Sequence, residues 1–393
     1  MRVWHFTEQS YMPAWDKIDG SIRIAPPSNL IDPQVAGDLL NRYLDEWCVA
    51  DECGLDIMVN EHHTTMSCLS SAVALPLAIL ARNTKKARLL GLGWPMTNRM
   101  DPFRVAEEIA LIDVISRGRL EVGFVKGVPF EFFSSNSNPV RATDRLWEAH
   151  DLIVKALTSH DGPFSWEGEY FQYRNVNVYP RCYQQPIPPM WMPTSGATSA
   201  RQIATRGYVV ATFMAGIHTK PVYDAYRESY LAQFGHAPGL DRFAYLGMGV
   251  VGASEREARA RAEKMKMYLP TTRRALPATV NPPGYAPVSD NVRMLMTNRG
   301  RPQPLMENGA PLPSDPTIEE LASAGILFWG TPDQVLDQLL RFSRRVGGFG
   351  HFLMEGQAAS LSHDETVDSI RLFAREVYPR LKETFVDKVP AHA

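Results

Sequence analysis

The chain has 393 residues, 45% of them hydrophobic and 21% charged, with a formal net charge of −2. This is an ordinary globular balance with ample core material, and it excludes electrostatic capture of nucleic acid or of an anionic membrane. Four scattered cysteines (Cys48, Cys53, Cys68, Cys182) form no C-x-x-C pair and no apolar run approaches a membrane span, so a soluble, cytoplasmic protein with reduced thiols is expected.

Arg2–Phe6 reads as a first strand, followed by a proline-containing loop over 7–33 that is long enough to be functional. Asp32-Pro33 looks like a helix start, and Ala36, Leu39, Leu40, Tyr43, Leu44, Trp47 and Cys48 recur at helical spacing behind it. Leu55–Val59 is the second strand. Leu69–Leu80 reads as a buried helix, and Leu89–Trp94 as a glycine-interrupted third strand. Asp101-Pro102 repeats the helix-start signature before Phe103–Val114, and Leu120–Val125 is the fourth strand.

Arg141–Leu157 is amphipathic, and Phe164–Val178 suggests a hairpin. Pro188–Met192, Gly207–Phe213 and Phe243–Val251 read as the fifth to seventh strands, with a short helix after Thr194–Ser199 and a longer one over Pro221–Phe234. Ser254 and Glu257 suggest a capping box for the helix over Ser254–Tyr268. Residues 270–316 are rich in Pro, Gly and Asn, and too long for a plain connector. Thr331–Arg345 is a helix, Gly350–Met354 the eighth strand and Glu365–Leu381 the last helix.

Eight alternations of strand and helix predict a parallel sheet closed into a (β/α)8 TIM barrel. One domain is expected over 1–385, with insertions about 7–33, 160–187 and 270–316 and a tail over 386–393. The last insertion is a lid-like segment before the eighth strand.

The chemistry concentrates at Glu61-His62-His63, directly after the second strand, where a barrel faces its active site. Two histidines behind a glutamate are costly to bury unless hydrogen-bonded or working. Adjacent strand residues point to opposite faces and no helical H-x-x-x-H spacing is present, so no metal site is expected. Thr194–Ser199 either caps a helix or offers its N–H groups to an anion.

Five stretches then carry a family pattern. Glu52–Asp56 leads into Glu61-His62-His63. Asp101–Glu108 leads through Leu111-Ile112-Asp113 into Ser116–Gly123. Pro188–Trp191 leads into Thr194–Thr198. Gly330–Val335 opens one late helix, and Thr366–Leu381 closes the chain. In this order, nearly end to end, the sequence resembles the bacterial luciferase-like family of flavin-dependent monooxygenases.

The resemblance implies a barrel that takes FMN as FMNH2 from a separate NAD(P)H:flavin reductase. It implies reaction with O2 through a flavin C4a-hydroperoxide, oxidising a small to medium apolar substrate by hydroxylation or Baeyer–Villiger insertion. Members are often dimers, so a homodimer is expected. His62 aligns with the family's active-site histidine; His63 either orients it or caps the turn, and Glu61 either ion-pairs with one of the two or faces the barrel rim. Ser195, Gly196 and Thr198 would hold the FMN phosphate, joined by Lys126, where luciferases carry an arginine, and by Arg145, which otherwise is a surface ion-pair partner of Glu148. Gly93 would pass under the isoalloxazine ring, with Trp94 walling the flavin or simply packing in the core. Val125 stands where bacterial luciferase has a cysteine, a departure that bears on light emission and not on oxygenation.

Trp4, His5 and Gln357 line the pocket or pack in the core. Met294, Leu295, Met296, Leu305 and Met306 give the lid-like segment an apolar, adaptable set suited to a hydrophobic ligand. The alternatives are a deazaflavin-dependent dehydrogenase of the same superfamily and a non-catalytic flavin-binding barrel.

Overall fold

A computed structural model of the chain describes residues 1–272, 277–286, 288, 292, 304–358 and 360–386. Eight parallel strands form a ring: β1 (Arg2–Thr7), β2 (Asp56–Val59), β3 (Leu89–Pro95), β4 (Leu120–Val125), β7 (Met190–Pro193), β8 (Val209–Phe213), β9 (Phe243–Val251) and β11 (His351–Gln357). The ring closes through β8 against β9 and β11 against β1, as the alternation of elements predicts. Outside it, β5 (Phe164–Glu167) and β6 (Gln172–Val176) form an antiparallel hairpin where the aromatic, β-branched excursion lay.

β10 (Leu327–Gly330) was not anticipated; it pairs in parallel with the far half of β9, from Met248 to Val251. Its four residues give too short an apolar run to stand out beside the capped helix that follows.

Inside the ring, alternate side chains stack into a plug: Trp4 and Phe6 from β1, Met58 from β2, Leu90 and Leu92 from β3, Trp191, Ala211, Leu246 and Leu353 from the others. Trp4 and Trp191 meet edge to face at 5.4 Å. Their indole N–H groups find His351 Nδ1 at 3.2 Å and Glu121 Oε2 at 2.5 Å, so the plug buries no orphan indole. Trp4 therefore belongs to the floor of the barrel, below any ligand. Gln357 instead reaches Thr366 Oγ1 at 2.7 Å. His5 is buried with neither ring nitrogen bonded among the described residues, and burial lowers its pKa to about 3.

Helices cover the outside of the ring: α1 (Pro33–Glu52), α2 (Ala74–Asn83), α3 (Pro102–Ser116), α4 (Ala142–Thr158), α5 (Ala197–Ala204), α6 (Thr219–Phe234) and α7 (Glu255–Lys266). The Asp-Pro starts work as expected: Asp32 Oδ1 accepts from Gln34 N at 2.8 Å and Asp101 Oδ1 from Arg104 N at 3.1 Å. Three expectations need correction. α2 starts at Ala74, not Leu69, because Cys68–Val73 is taken up by the turn that brackets His62. The Ser254 hydroxyl caps Glu257 N at 3.3 Å, but Glu257 reaches back to Ala253 N, so no reciprocal box forms there. Full boxes occur at Thr317, Thr331 and Ser362. The last helix is two, His363–Leu372 and Tyr378–Val386, joined by a π-helical turn.

Of the lid-like segment, a short helix α8 (Pro277–Val280) is described, and Met294, Leu295 and Met296 lie outside the described residues. Leu305 pairs with Pro311 in an isolated antiparallel bridge.

Candidate active site at the barrel mouth

β2 carries Met58 into the plug and then ends, so the residues after it rise to the mouth. Glu61 is buried and fully engaged. Its Oε2 accepts from Val73 N at 2.8 Å and Arg99 Nη2 at 2.6 Å, and its Oε1 meets His63 Nε2 at 2.9 Å. The Val73 contact places the carboxylate at the N-terminus of α2, where a helix favours negative charge. Burial alone would raise the Glu61 pKa, but the His63 bond, the Arg99 charge and the Val73 N–H hold it below its ordinary value.

His62 faces a different acid. Its Nδ1 lies 2.8 Å from Glu131 Oε1, which also accepts from His63 N at 3.0 Å. Glu131 sits in the turn Pro129–Phe132 just after β4 and is buried; its Oε2 takes Asn98 Nδ2 at 3.3 Å. The His62 backbone N–H donates to Ser70 O at 3.0 Å, fixing the ring's approach. Burial lowers the His62 pKa, yet the Glu131 bond and charge overcome it and the net shift is upward.

Among the described residues no protein group bonds His62 Nε2, and 20% of the side chain stays exposed. It borders a cleft of about 230 Å³ lined in part by Pro26, Ile31, Met66 and Leu69. A partly open imidazole, oriented through Nδ1 by a buried carboxylate, can give or take a proton at Nε2.

The two histidines are thus separated in role. His62 pairs with Glu131, and His63 pairs with Glu61. Glu131, Asn98 and Arg99 were absent from the sequence reading. The signal available was an acid inside the aromatic run Pro129-Phe130-Glu131-Phe132, which local spacing cannot connect to a residue 69 positions earlier.

At the end of β3 the Leu92–Gly93 peptide is cis. A β-carbon on Gly93 would fall 2.0 Å from Gly123 O, so only glycine lets β3 and β4 approach here. Trp94 packs in the core and donates to Glu108 Oε2 at 3.4 Å.

Across the ring, Gly196 is the N-cap of α5, and Ser195 and Thr198 are exposed beside its first turn. Thr194 Oγ1 accepts from Gly196 N at 3.1 Å, and no side chain caps the helix. Lys126 is held elsewhere: Nζ donates to Tyr285 O at 3.0 Å and lies 3.8 Å from the centre of that ring, with burial lowering its pKa. Arg145 donates to Arg99 O at 3.2 Å and stacks over Phe171 at 4.4 Å. It makes no ion pair with Glu148, whose carboxylate instead gathers the Glu169, Tyr170 and Phe171 N–H groups.

A family model described as luciferase-like monooxygenase matches residues 29–348. The oxygenase component of flavin-dependent trigonelline monooxygenase from Acinetobacter baylyi is 30% identical over 165 residues, 41% of this chain and 45% of that protein. Limonene 1,2-monooxygenase from Rhodococcus erythropolis is 23% identical over 329 residues, 82% of this chain and 76% of that protein. The chain spans about half the length of the first curated relatives it matches. Among solved structures, the oxygenating constituent of 3,6-diketocamphane monooxygenase from Pseudomonas putida, in complex with FMN, superimposes with a TM-score of 0.72. It is 18% identical, covers 96% of this chain and 98% of its own, and its likeness is one of fold.

Proposed function

The chain belongs to the luciferase-like monooxygenase family, and from that premise we propose that it is the oxygenase of a two-component system, using reduced FMN and O2 to oxidise a small to medium apolar organic substrate. The outcome is hydroxylation or Baeyer–Villiger insertion. The observation that carries this reading is His62, tied through Nδ1 to buried Glu131 and open at Nε2 beside an apolar cleft.

The residues present fit the flavin. The α5 N-terminus offers uncapped N–H groups and the Ser195 and Thr198 hydroxyls to a phosphate. Gly93, where the absent side chain lets β3 and β4 close on each other, is the position the family resemblance sets under the ring. Lys126 would reach the phosphate only after releasing Tyr285, and Arg145 only after leaving Arg99 O and the Phe171 ring. Bound reduced FMN supplies the activation of O2.

The chain's own tasks are then to exclude water and manage one proton. Glu131 keeps His62 in a single orientation and favours its protonated form, so Nε2–H can donate to an oxygen and recover the proton later. Glu61, locked by Arg99, Val73 and His63, serves as a fixed brace and not as a base.

The working form we propose is a homodimer, a reading that exposed apolar side chains support. Leu75 and Ile79 on α2 and Leu111 and Ile115 on α3 are exposed on two helices that pack side by side. A reductase is supplied by a separate chain.

The test supplies FMN, NADH and a generic flavin reductase with a panel of cyclic ketones, terpenes and aldehydes. Oxygen-dependent product that falls away in His62→Ala supports the proposal. Turnover under strict anaerobiosis, as hydride chemistry would give, refutes it.

A further inference from the structure

On the side of the ring opposite β4 and β7 lies a second group of acids that the proton-handling pair does not use. In the strand order β11-β1-β2-β3-β4-β7-β8-β9, the β11–β1 seam faces the β4–β7 seam across the barrel. Leu353 and Phe6 belong to the interior plug, so Glu355 and Glu8, each two residues further on, rise one layer above it toward the mouth. Phe6 and Glu355 stand in register on the paired strands.

Glu355 is fully buried, and neither carboxyl oxygen has a hydrogen-bond partner among the described residues. Glu8 is buried and accepts from Asn60 Nδ2 at 3.0 Å, and the charges of both acids act on the buried Tyr268 hydroxyl. Arg23, from the loop over 7–33, bonds the Tyr268 hydroxyl, stacks over that ring at 5.0 Å and attracts both acids. The Arg23 charge thus acts on two carboxyls at once. A buried carboxyl left without partners forfeits hydrogen bonds it would have made in water, and natural interiors rarely leave such a group without a use.

We propose that the Glu8–Glu355 pair receives a basic nitrogen of the substrate, so that the substrate is an apolar body carrying one protonated amine. The inference rests on the flavin phosphate lying at α5, which leaves the β11–β1 side to the second reactant. An ammonium N–H satisfies the orphan oxygens of Glu355 and brings the positive charge that Arg23 alone does not provide. Arg23 alone of the four groups is half-buried, so the ligand would enter past it.

The groups facing Glu355 are Glu8 from the end of β1, Arg23 from the following loop and Tyr268 behind α7. Burial and the Glu8 charge push the Glu355 carboxyl well above its ordinary range, so without a cation it keeps its proton. Binding is then an exchange: the carboxylic acid plus R–NH3⁺ gives the carboxylate–ammonium pair and one free H⁺.

Calorimetric titration of the full chain, with and without FMN, tests this using matched amine and alcohol probes: cyclohexylmethylamine and cyclohexylmethanol, heptylamine and heptanol, benzylamine and benzyl alcohol. We expect an amine to bind roughly tenfold or more tightly than its own alcohol, as a charge-assisted hydrogen bond would give. About one proton should leave per amine bound near neutral pH, read by comparing buffers of different ionisation enthalpy. Glu355→Gln should abolish both the preference and the proton release. The inference is overturned if no pair shows the preference, or if it survives in Glu355→Gln. Should that variant fail to fold, the wild-type pairs decide alone, with Glu8→Gln as the second variant. Amine preference without oxygenated product would spare this inference and sink the proposed activity. Oxygenation of neutral probes without amine preference would do the reverse.

Discussion

Glu131→Gln removes a charge from the His62 site while leaving its shape. In the wild type, Glu131 Oε1 accepts from His62 at 2.8 Å and from His63 N at 3.0 Å, and Oε2 takes the Asn98 amide at 3.3 Å. A glutamine oxygen still accepts from both donors. Its NH2 would face the Asn98 NH2, but Asn98 Oδ1 is buried and unbonded among the described residues, so half a turn of that amide restores the contact. What is lost is the ionic part of the His62 bond. A hydrogen bond to a charged group contributes about 1.5–3 kcal/mol against about 0.5–1.5 for a neutral one, so the loss is about 1 kcal/mol.

The pH dependence follows from the direction of the shift. The His62 pKa is raised in the folded state, so the stability it contributes is full below the ordinary histidine value of 6.5 and is lost as pH rises through the folded value. The gap between wild type and Glu131→Gln should therefore be wider by about 1 kcal/mol at about pH 5.5 than at about pH 9. For 393 residues, an unfolding entropy of about 2.1 cal/mol/K per residue gives roughly 0.8 kcal/mol/K, hence about 1 °C of extra Tm difference. Thermal melts of both proteins across that range, in one ionic strength, provide the assay. A gap that is constant with pH, or that widens on the alkaline side, refutes the pairing of His62 with a charged Glu131.

Gly93→Ala should destabilise by about 1–3 kcal/mol or more, because its β-carbon would sit 2.0 Å from the Gly123 carbonyl oxygen and the strands must part; an unchanged Tm would contradict this. Ser195→Asp places a charge beside the α5 N-terminus and should weaken FMN binding about tenfold or more while leaving riboflavin binding unaltered, since only FMN carries the phosphate. Equal losses for both flavins in a fluorescence titration would move the phosphate elsewhere. Leu75→Asp with Leu111→Asp should halve the mass seen by light scattering, and a monomeric wild type would overturn the dimer outright.

How far the sequence carried depended on whether a feature is local. The eight barrel strands were legible because each is a short apolar run beside a periodic helix, and the Asp32-Pro33 and Asp101-Pro102 starts are read from neighbouring residues. Glu61, His62 and His63 were legible as a costly cluster at a strand end. Their division into two acid–histidine pairs was not, because Glu131 arrives from the turn after β4. Lys126 was read through the family resemblance, and its partner Tyr285 comes from a segment with no periodicity to place it. Glu355 was missed for another reason. The eighth strand reads as ending at Met354, because an acid ends an apolar run, whereas the strand continues to Gln357 and buries that acid.

The most direct measurement is a single turnover under ¹⁸O2, with the protein first loaded anaerobically with photoreduced FMN and a substrate that the panel identifies. The account predicts one ¹⁸O atom per product molecule, none from ¹⁸O-labelled water save by exchange, and a fall of about 10²–10⁴ in product formed by His62→Ala with FMN affinity retained. Product without label, product formed in the absence of O2, or full oxygenation by His62→Ala would contradict it.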